Sequence, residues 1–201
     1  MSPDLRRSSP AAQRNREPIL QVLRSVLPRD GIVLELASGS GEHVIHFAAA
    51  LADLTWQPSD PSSEARASID AWIAAEKPRN ILAPLDLDAT AATWPIARAD
   101  AVIAINMVHI SPWAATVGLL RHAASLLPAA GPLFLYGPYR RDSEELAPSN
   151  AAFDADLRAR NPALGLRCLD DVTREAETVG LLLDRVVTMP ANNLSVIFVH
   201  A

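Results

Sequence analysis

The chain reads as one α/β domain wound around a mostly parallel sheet, and three observations carry that reading. At residues 33–43, VLELASGSGEH, an apolar run ends in an acid, turns through two glycines and becomes a helix. From there to the end, short apolar strand candidates alternate with segments of helical hydrophobic spacing. Residues 99–105, ADAVIAI, are almost wholly apolar, as a central parallel strand must be. At 201 residues and 49% hydrophobic content the chain suits a single core. The expected organisation is a polar arm over residues 1–16 and one domain over 17–201.

Each element has its own justification. The arm, MSPDLRRSSPAAQRNR, carries charge and proline without an apolar centre, so it is not a secretory signal. Residues 17–27 set Ile19, Leu20, Leu23, Val26 and Leu27 at helical spacing, with Pro18 allowed in a first turn. A strand ending at Glu35 leads through the glycine turn into a helix over 41–52, whose inner face holds Val44, Phe47, Ala48 and Leu51. Residues 54–57 form a second strand, stopped by PSDP, and Ser62, Ser63 and Glu64 open a helix to residue 75. A third strand is expected over 80–84, the apolar 99–105 is the fourth, and a helix spans 112–127. The fifth strand covers 132–136 and a helix 149–160, with Asp170 or Asp171 capping another that runs to 179. Strands over 181–188 and 194–200 close the chain as a hairpin through MPANN.

The glycine turn narrows the ligand. A dinucleotide fingerprint requires glycine at positions 37, 39 and 42, where Ala37, Gly39 and Glu42 stand, and a carboxylate beside a pyrophosphate is unfavourable. A phosphate-binding P-loop requires Gly-Lys-Ser/Thr, and the only lysine is Lys77. What remains is the E/D-x-G-x-G-x-G loop of class I S-adenosylmethionine-dependent methyltransferases, with Ala37 in place of its first glycine. Glu35, Ala37, Ser38, Gly39 and Gly41 are therefore candidate cofactor contacts. The plain alternative is a tight strand-to-helix turn that holds no ligand.

Other candidates sit where α/β sheets place their chemistry, at the carboxyl ends of strands. Asp60 falls 19 residues after Gly41, the place of a ribose-binding acid, or else it caps the next helix. Asp86 is a candidate partner for an exocyclic amine; the competing reading makes it solvent-facing, with Asp88 capping a turn. Asn106 and His109 follow the fourth strand, His109 as a base or as a buried imidazole bonded to a carbonyl. Tyr136, Tyr139 and Arg140 lie beyond the fifth strand as possible pocket walls. In the arm, Asn15 and Arg16 are candidate substrate contacts that would fold over the site's mouth; the competing reading is a solvated arm. Asn192 and Asn193 are expected to serve the hairpin turn.

Composition excludes several classes. A net charge of -5 and a pI near 5.5 argue against a dedicated nucleic-acid surface. A lone cysteine, Cys168, excludes an internal disulfide, and His43 with His46 has no third ligand in view, so no metal is expected. No run approaches the roughly 18 apolar residues of a membrane span. A cytoplasmic protein with a small-molecule or protein acceptor is the expectation, and nothing in the sequence sets an oligomeric state.

Taken together, VLELASGSGEH, WQPSDP, LDLD, INMVHISPW, YGPYRR, APSNAAFD and MPANN resemble one family: methyltransferase-like proteins of unassigned substrate that include methyltransferase-like protein twenty-six. The similarity runs from about residue 12 to the end. It implies the class I methyltransferase Rossmann-like sandwich, a seven-stranded, mostly parallel sheet whose last strand is antiparallel. It also implies S-adenosylmethionine as cofactor and S-adenosylhomocysteine as product. By position, Glu35, Ala37, Gly39 and Gly41 would surround the methionine part, Asp60 the ribose, Asp86 and Leu87 the adenine, and the Asn106 backbone the methionine end. His109 is the first candidate for a general base, with Tyr136 and Tyr139 behind it. Two rival readings stand beside methyl transfer: a non-catalytic binding module that keeps the fold, and, disfavoured by the glycine spacing, a nucleotide-dependent oxidoreductase.

Overall fold

The computed structural model describes residues 4–201. Six strands, β1 (Gly31–Leu36), β2 (Leu54–Pro58), β3 (Ala101–Ile105), β4 (Pro132–Gly137), β5 (Leu181–Met189) and β6 (Asn193–His200), form one sheet in the order β2-β1-β3-β4-β6-β5. The first four pair in parallel, and β6 is antiparallel to both β4 and β5. Six helices, α1 (Pro10–Leu23), α2 (Glu42–Ala50), α3 (Ser63–Glu76), α4 (Trp113–Leu126), α5 (Pro148–Arg160) and α6 (Leu169–Glu177), accompany it.

Strand alternation builds a core on each face of the sheet. Val33, Ile103 and Phe134 meet Ile19, Leu20 and Phe47 from α1 and α2. Their neighbours Leu34, Val102 and Leu133 meet Leu119, Leu120 and Val172 from α4 and α6. Phe47 is fully buried, and its truncation to alanine would cost about 3–5 kcal/mol.

Three expectations need correction. The sheet has six strands among the described residues, not seven, because residues 80–84 lie along β2 without completing a ladder. Trp56 N–H still donates to the Asn80 carbonyl and its carbonyl accepts from Leu82 N–H, while Leu85 N–H donates to the Pro58 carbonyl and the Leu85 carbonyl accepts from Asp60 N–H. Between them Pro84 has no N–H to give, and the Gln57 side chain fills the gap by donating to the Ala83 carbonyl at 2.8 Å. The leading helix starts at Pro10, not residue 17: Ser9 caps it, Pro10 takes the first position, and Pro18 lies inside. The cap of α6 is Cys168, which makes no side-chain cap bond, its thiol donating instead to Asp142 at 3.3 Å, while Asp170 and Asp171 fall in the first turn. The closing hairpin is as expected, β5 and β6 pairing antiparallel across a short 3-10 turn, Pro190–Asn192.

What remains of the expected arm is extended. Its first three residues lie outside the described residues, and residues 4–9 cross α2 and α3. Arg7 N–H donates to Ser68 Oγ at 2.8 Å, Trp72 Nε1–H donates to the Arg7 carbonyl at 3.1 Å, and Ser9 N–H donates to Glu42. No helix among the described residues is long and apolar enough to cross a membrane.

Candidate functional site

Winding reverses at β1, with β2 on one side and β3 on the other, so the loops leaving β1 and β3 part and open a crevice at their carboxyl ends. A cavity of about 510 Å³ lies there, lined among others by Ala37, Asp60, Leu87, Asp88, Met107 and Ile110. Ala37 brings the glycine turn to its wall. Ala37 (φ 52°), Gly39 (φ 56°) and Gly41 (φ 88°) all take left-handed backbone. A Cβ on Gly41 would stand 3.2 Å from the Ile69 Cα, so a side chain there is excluded by strain and by space. Above Gly39 the space is open, with nothing nearer a Cβ than 3.9 Å.

Asp60 braces this turn. One carboxylate oxygen accepts from Gly39 N–H at 3.0 Å and the other from Ser62 N–H at 2.9 Å. Each oxygen keeps a lone pair, so the same carboxylate can also receive ligand hydroxyls. Ser38 serves the turn rather than the cavity: its N–H donates to the Ser59 carbonyl and its hydroxyl to the Glu35 carbonyl. Glu35 is fully enclosed beneath, and burial pushes its carboxyl up to about 8, with the charge of Asp60 adding to the rise and a bond from Ser38 opposing it. One of its oxygens has no partner. A ligand that carries positive charge near this carboxyl would favour its ionised form and offset the cost of its burial.

A second, smaller cavity of about 210 Å³ lies beside it, between α1, the ends of β3 and β4, and the closing hairpin. Arg14, Asn15, Pro18, Asn106, Tyr136 and Asn193 contribute to its wall. Asn106 holds a left-handed backbone (φ 57°), a conformation its short amide tolerates, and its N–H donates to the Tyr136 carbonyl at 2.8 Å. Asn15 Oδ1 lies 2.8 Å from His43 Nε2, and the Asn15 amide also reaches the Tyr136 hydroxyl. Burial raises that hydroxyl, and the bond from Asn15 lowers it in part. His43 is itself pushed down to about 4, mainly by burial, so it is neutral and donates its Nε2–H to Asn15.

The structure thus gathers Ala37, Asp60 and Leu87 at one cavity, with Gly39 bonded to Asp60, and Asn15, Asn106 and Tyr136 at the next. Five expected site residues go elsewhere. Asp86 points outward and pairs with Arg66 at 3.0 Å; Asp88 lines the cavity, although its carboxylate also accepts from Thr90. His109 lines neither cavity. Its ring sits behind Gly137, where a Cβ would come within 3.0 Å of Nδ1, and against Phe153 with ring centres 5.6 Å apart. Burial first, and then Arg167, push it down to about 4, which makes it a poor base. Tyr139 is separated from Tyr136 by the Gly137-Pro138 turn and enters the opposite core, its hydroxyl unpartnered and raised by burial. Arg16 is displaced by the early start of α1, which turns Arg14, Asn15 and Pro18 to the pocket instead. Arg140 lines a separate groove beside α6.

Arg14, Asp88, Met107 and Ile110 are site residues that the sequence reading missed. Ser9-Pro10 was the available signal for Arg14: a cap followed by proline marks a helix start, and periodicity from there puts residues 11, 14, 15 and 18 on one face.

A family model described as "Protein of unknown function (DUF938)" matches residues 6–200. An O-methyltransferase family protein from Burkholderia thailandensis superposes with a TM-score of 0.79 at 18% identity, covering 95% of this chain and 57% of its own. CalO1, a methyltransferase in calicheamicin biosynthesis solved with SAH bound, gives 0.75 at 18% identity, covering 95% and 55%. Human N-acetylserotonin methyltransferase (ASMT), solved in complex with SAM, gives 0.78 at 13% identity, covering 95% and 53%. The fold is therefore that of the methyltransferases, and this chain spans a little over half the length of each of these neighbours.

Proposed function

The chain belongs to the DUF938 family, whose description assigns no activity, and from the site itself we propose that it is an S-adenosylmethionine-dependent methyltransferase. One observation carries this reading: Asp60, which braces the glycine turn through Gly39 N–H, lines with Ala37 and Leu87 a cavity at the switch point of a methyltransferase-type sheet, with the enclosed carboxyl of Glu35 two residues before Ala37. The narrower kinship to methyltransferase-like protein twenty-six, suggested by the shared phrases, belongs to the same proposal.

When bound, S-adenosylmethionine supplies a methyl group already activated on a sulfonium sulfur. Asp60 would take the ribose hydroxyls, and Leu87, Met107 and Ile110 would enclose the adenine. The turn over residues 37–41 and the Asn106 backbone would receive the methionine part. Glu35 and Asp60 favour a cationic donor over its neutral-sulfur product. The acceptor then enters past Asn15 and Tyr136, and the protein's task is to align it with the methyl carbon at about 3–3.5 Å and to exclude water.

The lining of the smaller cavity shapes the choice of acceptor. It offers amides and a tyrosine hydroxyl but no imidazole or carboxylate, which favours an acceptor nucleophilic without help from a base. A small molecule fits that volume better than a folded protein. The same absence also favours the rival reading, a binding module without turnover.

Calorimetric titration with S-adenosylhomocysteine tests the first half of this reading, and saturable one-to-one binding is expected. Incubation of metabolite and protein extracts with methyl-labelled cofactor tests the second. Binding without any labelled product would leave the non-catalytic module; no binding would sink both.

A further inference from the structure

Across residues 107–113 from the larger cavity lies a groove of about 460 Å³, bounded by the start of α4, the end of α5 and α6. Arg140, Arg158, Arg167 and Arg174 line it, against two acids, Asp171 and Glu175. On a chain of net charge -5 this is a local reversal.

The four guanidinium groups are not equally answered. Arg158 Nε–H donates to Asp154 at 2.9 Å, and Arg174 pairs with Asp171. Arg167 meets no carboxylate; its donors go to the carbonyls of Val108, Ser111 and Ala163, which fix its plane. Arg140 makes no side-chain hydrogen bond or ion pair among the described residues, while its backbone is held on both sides by Arg167 and Leu169. Two guanidinium groups therefore stand on fixed backbone without an ion pair, in a groove where Asp154 acts on both at longer range and Glu175 adds a further acid. Burial, and then the charges of Arg158 and Arg140, hold Arg167 below the usual guanidinium range, with Asp154 opposing in part.

We propose that this groove binds a small-molecule phosphate monoester, its phosphoryl group between Arg140 and Arg167 and its organic body along Trp113 and Leu166. Charge selects the head group. A monoester carries close to two negative charges near neutral pH, which two guanidinium groups without ion pairs attract more strongly than the single charge of a carboxylate. Guanidinium forks also suit phosphate oxygens in paired hydrogen bonds. Volume selects the rest, since the groove far exceeds one oxyanion and the half-buried Trp113 gives it a flat apolar wall. A polynucleotide is disfavoured because the basic surface is confined to this groove of an acidic chain. The proposal stands independently of methyl transfer. The two sites nevertheless share residues 107–113: Arg167 grips Val108 and Ser111 from one side, and Met107 and Ile110 wall the larger cavity on the other.

The test is calorimetric titration of the full chain at constant ionic strength with phenyl phosphate, inorganic phosphate and phenol. Phenyl phosphate is expected to saturate about tenfold more tightly than inorganic phosphate, with no binding of phenol. Arg140→Gln should weaken both phosphates at least about tenfold while leaving S-adenosylhomocysteine binding and the thermal midpoint unchanged. Trp113→Ala should weaken phenyl phosphate alone. Equal affinity for the two phosphates would overturn the monoester in favour of a free oxyanion. Absence of saturation, or indifference to Arg140→Gln, would overturn the site itself.

Discussion

The two adjoining cavities are built by different means. The larger is assembled from the segments 36–37, 60–61, 87–90 and 107–115, and beside it lies a glycine turn whose backbone N–H groups are braced by Asp60. The smaller is assembled from Asn15, Asn106, Tyr136 and Asn193, side chains on four separate parts of the chain. A backbone cradle depends on a few conformations that only certain residues allow, whereas a side-chain pocket can change its lining without disturbing the fold. The first is suited to a ligand that never changes, the second to one that differs between relatives.

The largest effect that would separate the two cavities is expected from Asp60→Ala. It removes both the acceptor for ribose hydroxyls and the brace on Gly39 and Ser62. Affinity for S-adenosylhomocysteine should fall about 100-fold by calorimetry, since hydrogen bonds to charged groups contribute about 1.5–3 kcal/mol each. A loss under about threefold would show that the larger cavity does not hold the cofactor through this carboxylate.

Next in size is a pH effect from Glu35. Below about 4.5 its carboxyl is protonated whether the chain is folded or not; between there and about 8 only the unfolded chain ionises it, so the fold loses stability across that window. A cationic donor reverses the preference by favouring the carboxylate, and binding then releases a proton. S-adenosylmethionine affinity should rise roughly tenfold from pH 6 to pH 8, a slope that Glu35→Gln abolishes. The same substitution should stabilise the ligand-free protein at pH 7. A flat affinity profile in the unaltered protein would detach Glu35 from the site.

On the other side of the comparison, Asn15→Leu should leave S-adenosylhomocysteine affinity within about twofold while costing stability. The neutral His43 imidazole would lose its partner inside the core, a loss of about 1–3 kcal/mol that thermal denaturation reads directly. Cofactor affinity falling in step with stability would mean that the two cavities are one unit.

The same contrast sets what was legible in the sequence. The turn over residues 37–41 and Asp60 were readable because strand, glycine and acid lie at fixed short spacings. The central strands were readable because a sheet covered on both faces demands an apolar run. Residues 80–84 had strand-like composition, yet whether a ladder closes depends on which N–H groups face it, and Pro84 and the inserted Gln57 amide decide that only in three dimensions. Asn15, Asn106 and Tyr136 were each singled out, but their meeting was not visible because no local spacing links them. Tyr139 and His109 misled because a polar residue just past a strand can turn into the core as readily as into the crevice.

The smallest effect tests the cradle itself, at Ala37. Its left-handed backbone costs an L-residue about 1–2 kcal/mol, which a glycine would not incur. Glycine in turn loses more conformational freedom on folding, about 0.5–1 kcal/mol. The difference leaves Ala37→Gly stabilising by about 0.5 kcal/mol, a rise of roughly 1–2 °C in thermal midpoint for a domain of this size. Cofactor affinity should hold or improve slightly, because the turn already adopts the conformation that glycine prefers. A fall in the midpoint would mean that the Ala37 methyl contributes more to the cavity wall than its backbone strain costs, and that this part of the cradle, like the neighbouring pocket, is built from side chains.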